Sequence, residues 1–475
     1  MKKTLLWAVL LCMASVLPMS AQSTCNHQYD SDDQTHCTLC NHYFVHYTST
    51  DGNIVKPLGA KPFGEAAIVS NTYENGRGII ELDNVPTAIG AGAYNEVETL
   101  KTFEFPKTIE SIGNLAFMCC TGLTTISEFP STLKSIGRYG FYACLNLGGE
   151  LVLPNSVTFL DSFVFGGCHY VTKITIPESI TEIPNHAFEY CKRLKTVVLP
   201  ESLITIGVDA FRNCYVLEEQ VIPNSVQTIK DGAFSDCPLL ASVNIPKSLV
   251  TIERNAFKGS PKLNIKMDMP NTLVSIGDYA FYNCTSINSE LVLGNSLTTI
   301  GRYAFYNCTG LHGALTIPNS VTEIDSRAFK NCTGFTGTLS IGDKLTELRD
   351  SVFANCSGFE NVIVGKSVND IAKSFIGCTG VKTVHFKNTT PATFYNIGFN
   401  DQYVCFYVPE SALSTYRADK NWKYAFYDRL FIEPCKHEYT QENPYYCTKC
   451  KHYLVHYTTD NGTFLHTPWR DDVKK

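Results

Sequence analysis

The sequence predicts an α/β repeat fold: a solenoid whose 22–24-residue coils each carry one short parallel strand and one short helical turn, with a small Cys/His module at either end. Three observations predict this fold. A Phe recurs at a nearly constant interval, a short alternating segment lies between successive Phe residues, and two Cys/His motifs of identical spacing flank the repeats.

The recurring Phe anchors each coil. It is accompanied by an Ile or Leu five residues before it and by an apolar residue six residues after it. A single coil of this length cannot bury its own apolar face, so we expect neighbouring coils to stack around one shared core. Burial of each ring contributes about 1.5–3 kcal/mol. The anchor positions are Tyr94, Phe117, Phe141, Phe165, Phe188, Phe211, Phe234, Phe257, Phe281, Phe305, Phe329, Phe353 and Phe375.

The segments between anchors predict strands. Residues 173–177 (KITIP) and 314–318 (ALTIP) alternate apolar and polar side chains and end in Pro, which is typical of short strands. The AF..C stretch of each coil carries small and apolar residues at helical spacing and predicts a tight helical turn. The outward strand positions form a row that suits a flat surface facing a protein or a glycan. Its candidate binding residues are Glu128, Thr175, Asn244, Asp268 and Thr316.

A cysteine stands three residues after the anchor Phe in most coils, and Ser260 takes that place in one. Side chains stacked in register keep their Cβ atoms near the coil spacing, not at the ~3.8 Å that a disulfide needs. We therefore expect each Cys to fill a narrow buried slot as a small hydrophobic residue. These cysteines are Cys120, Cys144, Cys168, Cys191, Cys214, Cys237, Cys284, Cys308, Cys332, Cys356 and Cys378.

Tyrosines recur two residues before and one residue after the anchor Phe. They are either a binding surface or a set of rings that stack between adjacent coils, and the regular spacing favours stacking. The six residues are Tyr139, Tyr142, Tyr279, Tyr282, Tyr303 and Tyr306.

Units such as 202–223 (SLITIGVDAFRNCYVLEEQVIP) and 296–318 (SLTTIGRYAFYNCTGLHGALTIP) resemble the BspA-like leucine-rich repeat proteins of bacterial cell surfaces. The resemblance extends from about residue 75 to residue 433. Residues 69–94 look like that family's entry into the first coil, and residues 405–432 look like its terminal cap. The resemblance implies a leucine-rich-repeat solenoid. It implies function more loosely, since characterised members bind host matrix or plasma proteins or other microbes.

The N-terminus predicts export. Lys2 and Lys3 precede an apolar run that is too short to cross a bilayer, and small residues surround a cleavage point near Ala21. We divide the chain into a signal peptide (1–21), a zinc-ribbon-like Cys/His module (22–52), the leucine-rich repeat solenoid (53–400), its C-terminal cap (401–433) and a second Cys/His module (434–475). We expect the mature protein to be secreted or held at the cell surface.

Both end modules have the pattern C-x-H-x9-C-x2-C-x-H-x3-H. A tetrahedral zinc site takes four nitrogen or sulfur ligands, and a C-x-x-C pair commonly supplies half of them. We expect structural zinc, although disulfide or intermolecular pairing stays open for an exported chain. His42 or His46 could replace His27 as a ligand. The predicted ligands are Cys25, His27, Cys37 and Cys40 in the first module and Cys435, His437, Cys447 and Cys450 in the second.

No catalytic motif accompanies the repeats. The four histidines inside the array, His169, His186, His312 and His385, occupy four different slots, and no nucleophile stands at motif spacing from them. A net charge of −6 argues against a nucleic-acid partner. The sequence therefore predicts a non-enzymatic protein that binds host or microbial surface proteins in recognition or adhesion. The alternatives are a structural spacer or envelope component whose terminal modules bind, and glycan binding on the strand face.

Overall fold

The computed structural model describes residues 28, 35–394, 398, 404–422, 430–432, 456–458 and 464–466. Its regular structure is almost all strand and forms a β-solenoid. Within these residues, no helix has the length and apolarity that a membrane crossing requires. The predicted signal peptide (1–21) lies outside the described residues.

Three strands close the N-terminal end of the solenoid: β1 (Tyr43–Ser49), β2 (Ile68–Glu74) and β3 (Arg77–Leu82). β1 pairs antiparallel with β3 on one side and with the first solenoid strand on the other. It therefore covers the edge that the first coil would otherwise expose. Since β1 comes from the predicted Cys/His module, the second half of that module is part of the solenoid's entry sheet.

One strand of every coil lines a surface that we call the strand face, and neighbouring strands pair in parallel within four blocks. The ladder is interrupted between β7 and β9, between β13 and β15, and between β17 and β19. The strands are β5 (Leu100–Phe103), β7 (Thr125–Ile126), β9 (Gly148–Val152), β11 (Tyr170–Thr175), β13 (Thr196–Val198), β15 (Glu219–Gln220), β17 (Ser242–Val243), β19 (Met267–Asp268), β21 (Ser289–Val292), β23 (Leu311–Thr316), β25 (Phe335–Ser340), β27 (Phe359–Val364), β29 (Thr383–Phe386), β31 (Cys405–Val408) and β32 (Leu430–Ile432).

A second, two-residue strand occurs in each coil, where the sequence predicts only one strand per coil. Its second residue is the apolar residue five positions before the anchor, and a Gly often follows it. A Cβ on Gly301 would lie 2.5 Å from the backbone of the preceding coil, which explains the glycine. These strands are β4 (Ala88–Ile89), β6 (Ser111–Ile112), β8 (Ser135–Ile136), β10 (Phe159–Leu160), β12 (Glu182–Ile183), β14 (Thr205–Ile206), β16 (Thr228–Ile229), β18 (Thr251–Ile252), β20 (Ser275–Ile276), β22 (Thr299–Ile300), β24 (Glu323–Ile324), β26 (Glu347–Leu348), β28 (Asp370–Ile371) and β30 (Thr393–Phe394).

The predicted helical turn around AF..C is not confirmed, because this segment consists of successive hydrogen-bonded turns. In the coil anchored by Phe305, the N–H groups of Ala304, Tyr306 and Cys308 each bond three residues back. The alternate N–H groups, including that of Phe305, donate to carbonyls of the next coil. In an α-helix, the N–H groups bond to carbonyls of the same segment. Because alternate N–H groups here bond to the next coil, the segment is not a helix. Tyr303 and Asn307 adopt positive φ to make the pattern.

The anchor rings form one continuous buried stack. From Tyr94 to Phe375 every ring lies parallel to the ring of the next coil. Most centroid separations are close to that of Phe211 and Phe234, which is 5.0 Å. The widest is 6.1 Å between Phe165 and Phe188, where the two-residue ladder is also interrupted. The shared core that the repeat predicts is therefore present.

The repeated cysteines are buried hydrogen-bond donors as well as small core residues. Each Sγ lies 2.9–3.3 Å from the carbonyl oxygen of the previous coil's anchor residue. Cys237, for example, donates to Phe211 at 3.1 Å. Ser260, which replaces the cysteine in one coil, donates to Phe234 at 3.2 Å. The prediction of a small hydrophobic residue is thus correct for size and burial but misses the polar contact.

The C-terminal end is closed by a 3₁₀ turn (Glu410–Ala412), the helix α1 (Leu413–Ala418) and β32. Trp422 is buried there, and its Nε1 donates to the carbonyl of Ala392 at 2.9 Å. Beyond the solenoid, β33 (His456–Thr458) pairs antiparallel with β34 (Phe464–His466).

Candidate functional site

The outward positions of the strand face fall into one column, as the sequence predicts. Register pairs join Val152 to Thr175 and Thr175 to Val198. Farther along, they join Asp268 to Val292 and Thr316 to Ser340. We call this column the valine row. It consists of Val152, Thr175, Val198, Val221, Asn244, Asp268, Val292, Thr316 and Ser340.

Four valines of this row are largely exposed. The exposed fractions are 60% for Val152, 43% for Val198, 76% for Val221 and 50% for Val292. Three of them lie within four consecutive coils, and the fourth position there is Thr175. Exposed apolar side chains that align on a flat sheet form a surface suited to protein contact.

The predicted binding residues take different places on this face. Thr175, Asn244, Asp268 and Thr316 lie in the valine row, and all but the half-buried Thr175 are exposed. Glu128 is exposed but follows β7, which does not pair with the next strand of the face. The sequence predicts polar binding residues in this row, and the structure shows that four valines of the row are exposed as well. Their period-2 alternation with buried neighbours is the signal that identifies them.

The sheet opens in the middle of the row. Gln220 is buried at an inward position, and its Nε2 donates to the Val197 carbonyl at 3.0 Å, a contact that bridges β13 and β15. Asn244 bonds the backbone of Ile222 twice, accepting from its N–H at 2.8 Å and donating to its carbonyl at 2.7 Å. Val221 directly follows Gln220 in the chain and precedes Ile222, to which Asn244 bonds, so it belongs to the coil where the ladder from β13 is interrupted.

Charged and aromatic groups border the row. Lys173 Nζ lies 3.1 Å from Glu150 Oε2 across neighbouring coils. The Arg193 guanidinium lies over the ring of the exposed Tyr170, 4.2 Å from its centroid. Arg and Tyr are residue types enriched at the energetically important points of protein interfaces.

The turn segments form the opposite candidate surface, and the predicted stacking of their tyrosines is confirmed. Tyr279 stacks on Tyr303 at 4.9 Å and Tyr282 stacks on Tyr306 at 5.0 Å between ring centroids. The Tyr139 ring stacks in the same way on Phe163 at 4.7 Å. Each ring covers the face of its neighbour, so the hydroxyl groups and ring edges face outward.

A titratable cluster lies on the same side. His186 Nδ1 is 2.8 Å from Glu189 Oε2 and 3.8 Å from Asp209 Oδ2. Arg212 Nη1 lies 3.5 Å from the same Asp209 oxygen. Burial raises the pKa of the Asp209 carboxyl, while Arg212 and His186 partly offset that rise. Within the described part of the chain, this is the one group of three His, Cys, Asp or Glu residues arranged closely enough to share a metal ion. The neighbouring guanidinium already supplies a positive charge there.

The first Cys/His module is described from its second half onward. Cys37 and Cys40 lie at the tip of a hairpin closed by a bridge between His36 and Tyr43. The Cys37 N–H donates to the His42 carbonyl at 2.9 Å, and Asn41 reverses the chain with a φ of 58°. The other predicted ligands lie outside the described residues: Cys25, His27, Cys435, His437, Cys447 and Cys450.

His42 and His46 contact carboxylates. His42 Nδ1 lies 2.7 Å from Glu81 Oε1 on β3, and His46 Nδ1 lies 3.2 Å from Glu104 Oε2. Arg77 also contacts the His46 ring, at 2.7 Å. The structure therefore places both histidines at the junction between β1 and the solenoid.

A family model for the BspA type leucine-rich repeat region, which describes six copies of the repeat, matches this chain in four overlapping ranges: residues 87–218, 138–264, 204–336 and 274–404. Together these ranges cover more than half of the chain. No curated protein sequence matches it.

Several solved structures are similar to this chain. A leucine-rich repeat protein from Bacteroides ovatus is 26% identical, with a TM-score of 0.57, and the alignment covers 76% of this chain and 89% of that one. A leucine-rich cell surface protein from Faecalibacterium prausnitzii is 28% identical over 63% of this chain and 83% of that one, with a TM-score of 0.39. The pneumococcal vaccine antigen PcpA is 19% identical over 81% and 99%, with a TM-score of 0.41. The fold assignment rests on the first of these and on the family model.

Proposed function

Because the chain belongs to the BspA-type leucine-rich repeat family, we propose that it is an exported, non-enzymatic protein that acts in surface recognition or adhesion by binding host or microbial surface proteins through its strand face. The observation that carries this proposal is the valine row. Val152 and Val198 each pair in register with Thr175, Val292 pairs in register with Asp268, and Val221 is exposed in the coil after Val198, where the ladder is interrupted.

The energetics favour a protein partner at this row. Burial of apolar surface stabilises a complex by about 25 cal/mol per Å², and the exposed valines supply such surface without a side-chain rearrangement. β-branched side chains are stiff, so little side-chain entropy is lost when they are covered. The Arg193–Tyr170 pair and the Lys173–Glu150 pair provide a polar border of the kind that surrounds an interface core.

The proposal of export is supported by residues 1–21, which have the basic start and the short apolar run of a signal peptide.

The test uses the mature full-length chain and a variant with Val198→Glu and Val221→Glu. Both chains are incubated with host matrix proteins and with microbial surface extracts, and bound proteins are identified and mapped by cross-linking. We expect the variant to lose the partners that cross-link to the strand face. A matched control, Thr158→Glu and Thr322→Glu, adds the same charge at exposed positions outside the strand face and should retain them.

Two other roles make different predictions. If the solenoid is a structural spacer or envelope component whose terminal Cys/His modules bind, the strand-face variant keeps its partners and removal of residues 434–475 abolishes binding. If the strand face binds a glycan, retention on glycan arrays is lost in the strand-face variant while protein capture is unaffected.

We also propose that the Cys/His modules hold structural zinc. The support is the hairpin that presents Cys37 and Cys40 on one tip, together with the identical spacing in the second module. Cys25 and His27 are the remaining proposed ligands of the first site. Glu81 and Glu104 contact only Nδ1 of His42 and His46, so Nε2 of either histidine could take the place of His27. Cys435, His437, Cys447 and Cys450 form the second set. Such ions would stabilise segments too small to build a core alone.

Metal analysis of untagged full-length protein tests the zinc proposal. We expect about two equivalents of zinc per chain and about one after Cys37→Ser with Cys40→Ser. Cys119→Ser, at a half-buried cysteine of the turn segments, is the control and should leave two. Absence of zinc together with a mapped Cys37–Cys40 disulfide would contradict the proposal.

A further inference from the structure

The turn segments carry mainly positive charge in one part of the solenoid and mainly negative charge in the part before it. The four segments 254–260, 278–284, 302–308 and 326–332 carry five cationic side chains and one acidic side chain, in a chain whose net charge is −6. The cations are Arg254, Lys258, Arg302, Arg327 and Lys330, and the acid is Asp278. The three preceding segments instead carry Glu189, Asp209, Asp231 and Asp236 against the single Arg212. We call the cationic region, residues 254–332 of the turn side, the tyrosine–cation patch.

At one position of the repeat, two tyrosines are flanked by two cations along the patch. The position after the anchor Phe is Lys258, Tyr282, Tyr306 and Lys330 in four consecutive coils. The two central rings stack at 5.0 Å, so the backbone positions of Lys258 and Lys330 lie three coil steps apart, or about 15 Å. The Lys258 Nζ lies over the Tyr279 ring, 5.8 Å from its centroid. This is a linear arrangement with a cation at either end and two phenol groups between them.

A second column lies beside the first. Tyr279 stacks on Tyr303. The Arg327 guanidinium lies 5.5 Å from the Tyr303 ring centroid, donates to the Tyr303 hydroxyl at 2.7 Å and pairs with Asp350 at 3.2 Å. Arg302 lies 5.2 Å from the same ring and is exposed. Since the faces of these rings are covered by each other and by cations, the groups turned outward are hydroxyls, ammonium groups and guanidinium groups.

These groups are almost all hydrogen-bond donors. Among the described residues, the large hydrophobic side chains that are exposed lie elsewhere, and none belongs to the four segments of the patch. The patch therefore lacks the apolar core of a protein interface and offers a row of donors and positive charges. An extended partner rich in oxyanions complements it, because charge-assisted hydrogen bonds are the strongest that such donors form.

We propose that the tyrosine–cation patch binds an acidic polysaccharide, that is, a glycan chain carrying sulfate or uronic-acid groups. Its cations pair with the anionic groups, and the tyrosine hydroxyls donate to sugar oxygens between them. This surface is distinct from the strand face, so one molecule can hold a glycan on the turn side and a protein on the strand side.

Binding of the full-length chain to defined polymers tests this inference. The probes are heparin for sulfate groups, polygalacturonate for carboxylate groups, neutral dextran and poly-glutamate. We expect heparin or polygalacturonate to bind more tightly than poly-glutamate, dextran not to bind, and affinity to fall with added salt. Absence of binding to both acidic glycans, or tighter binding of poly-glutamate, would overturn the proposal in favour of no polyanion site or of an acidic protein partner.

Two sets of variants locate the site. Lys258→Gln with Arg302→Gln and Lys330→Gln removes three charges from the patch and should weaken glycan binding about tenfold or more. Lys195→Gln with Lys266→Gln and Lys382→Gln removes three charges beside the strands and should change affinity less than about twofold. Equal losses in both would show non-specific attraction and contradict the assignment.

Tyr282→Phe with Tyr306→Phe keeps the stack and the charge but deletes two hydroxyl donors. We expect roughly threefold weaker glycan binding with an unchanged melting temperature. Unchanged affinity would show that the tyrosine hydroxyls take no part in glycan binding. Variants of the tyrosine–cation patch should still capture proteins through the valine row. A chain that binds no acidic glycan but captures proteins would contradict this inference alone, and a chain that binds acidic glycans but captures no protein would contradict the proposed function alone.

Discussion

Ser260 Oγ donates to the Phe234 carbonyl of the preceding coil at 3.2 Å, and one coil earlier Cys237 Sγ donates to the Phe211 carbonyl at 3.1 Å. The two bonds are equivalent although the residues differ in size and polarity. The slot therefore selects a small side chain with a donor at its γ atom, since both the thiol and the hydroxyl meet that requirement.

Substitutions at Cys237 separate packing from hydrogen bonding. We expect Cys237→Ala to lower the free energy of unfolding by about 1–2 kcal/mol, because it leaves a small cavity and removes the donor. Cys237→Ser should cost less than Cys237→Ala. Denaturant unfolding combined with hydrogen exchange of the coil measures both. If Cys237→Ala lowered the free energy of unfolding by no more than Cys237→Ser does, the cysteine would act only by filling apolar space.

The buried thiols should resist alkylation in the folded chain. Burial raises the pKa of Cys191 and Cys284 to about 12, so the reactive thiolate is scarce at neutral pH. Cys119 is half-buried, and it should react with iodoacetamide much faster than these two, even though its pKa is also raised by partial burial. Mass-spectrometric mapping under native conditions provides the measurement. Comparable labelling of Cys191 and Cys119 would contradict the closed core.

Removal of one anchor ring should interrupt the central stack. Phe234 is fully buried between Phe211 and Phe257, with centroids 5.0 and 5.5 Å away. We expect Phe234→Ala to cost about 3–5 kcal/mol and to increase hydrogen exchange in the adjacent coils. Tyr306→Ala, which removes a partly exposed ring, is the control and should cost about 1 kcal/mol. Similar losses for both would contradict the dominance of the buried stack.

The junction at His46 gives a pH dependence to the entry sheet. The hydrogen bond from the His46 ring lowers the pKa of the Glu104 carboxyl, and the charge of Arg77 acts in the same direction. A carboxyl whose pKa is lower in the folded state stabilises that state above its ordinary pKa and loses the effect as the pH falls through the folded value.

Glu104→Gln should therefore speed hydrogen exchange of β1 at pH 7 relative to the unmodified chain. The difference should shrink as the pH falls below the ordinary carboxyl pKa and through the lower folded pKa of Glu104, because the protonated Glu and the Gln side chain are then both neutral. Glu98→Gln removes an exposed carboxylate nearby and serves as the control. A difference that persists at low pH would show that the substitution acts through packing.

Sequence periodicity predicts much of this fold for a physical reason. Stacked coils repeat the same environment, so the anchor Phe and the apolar residues around it recur at fixed positions, and the outward row around Thr175 and Thr316 follows from strand alternation. The turn segments were predicted less well. Their small and apolar spacing is typical of a helix, but positive φ at positions such as Tyr303 and the sharing of N–H groups between coils depend on a neighbour that local sequence does not reveal.

Surface properties were harder to predict than the core. The recurrence of Lys258, Tyr282, Tyr306 and Lys330 in one slot is visible in the sequence, yet only the stacking geometry shows which groups face outward. Likewise, the sequence does not reveal the interruption of the sheet beside Gln220, which is buried at a position where most other coils carry an apolar residue.

The alternating amides of the turn segments also affect the electrostatics of the whole array. The N–H groups of Phe281 and Asn283 point toward the following coil, whereas those of Thr298 and Gly301 point back toward the preceding one. Peptide dipoles on the two sides therefore oppose each other along the axis, unlike the aligned units of an α-helix. The net dipole along the solenoid axis therefore grows little as coils are added. A longer array does not build up partial charge at its two ends, and the caps have none to neutralise.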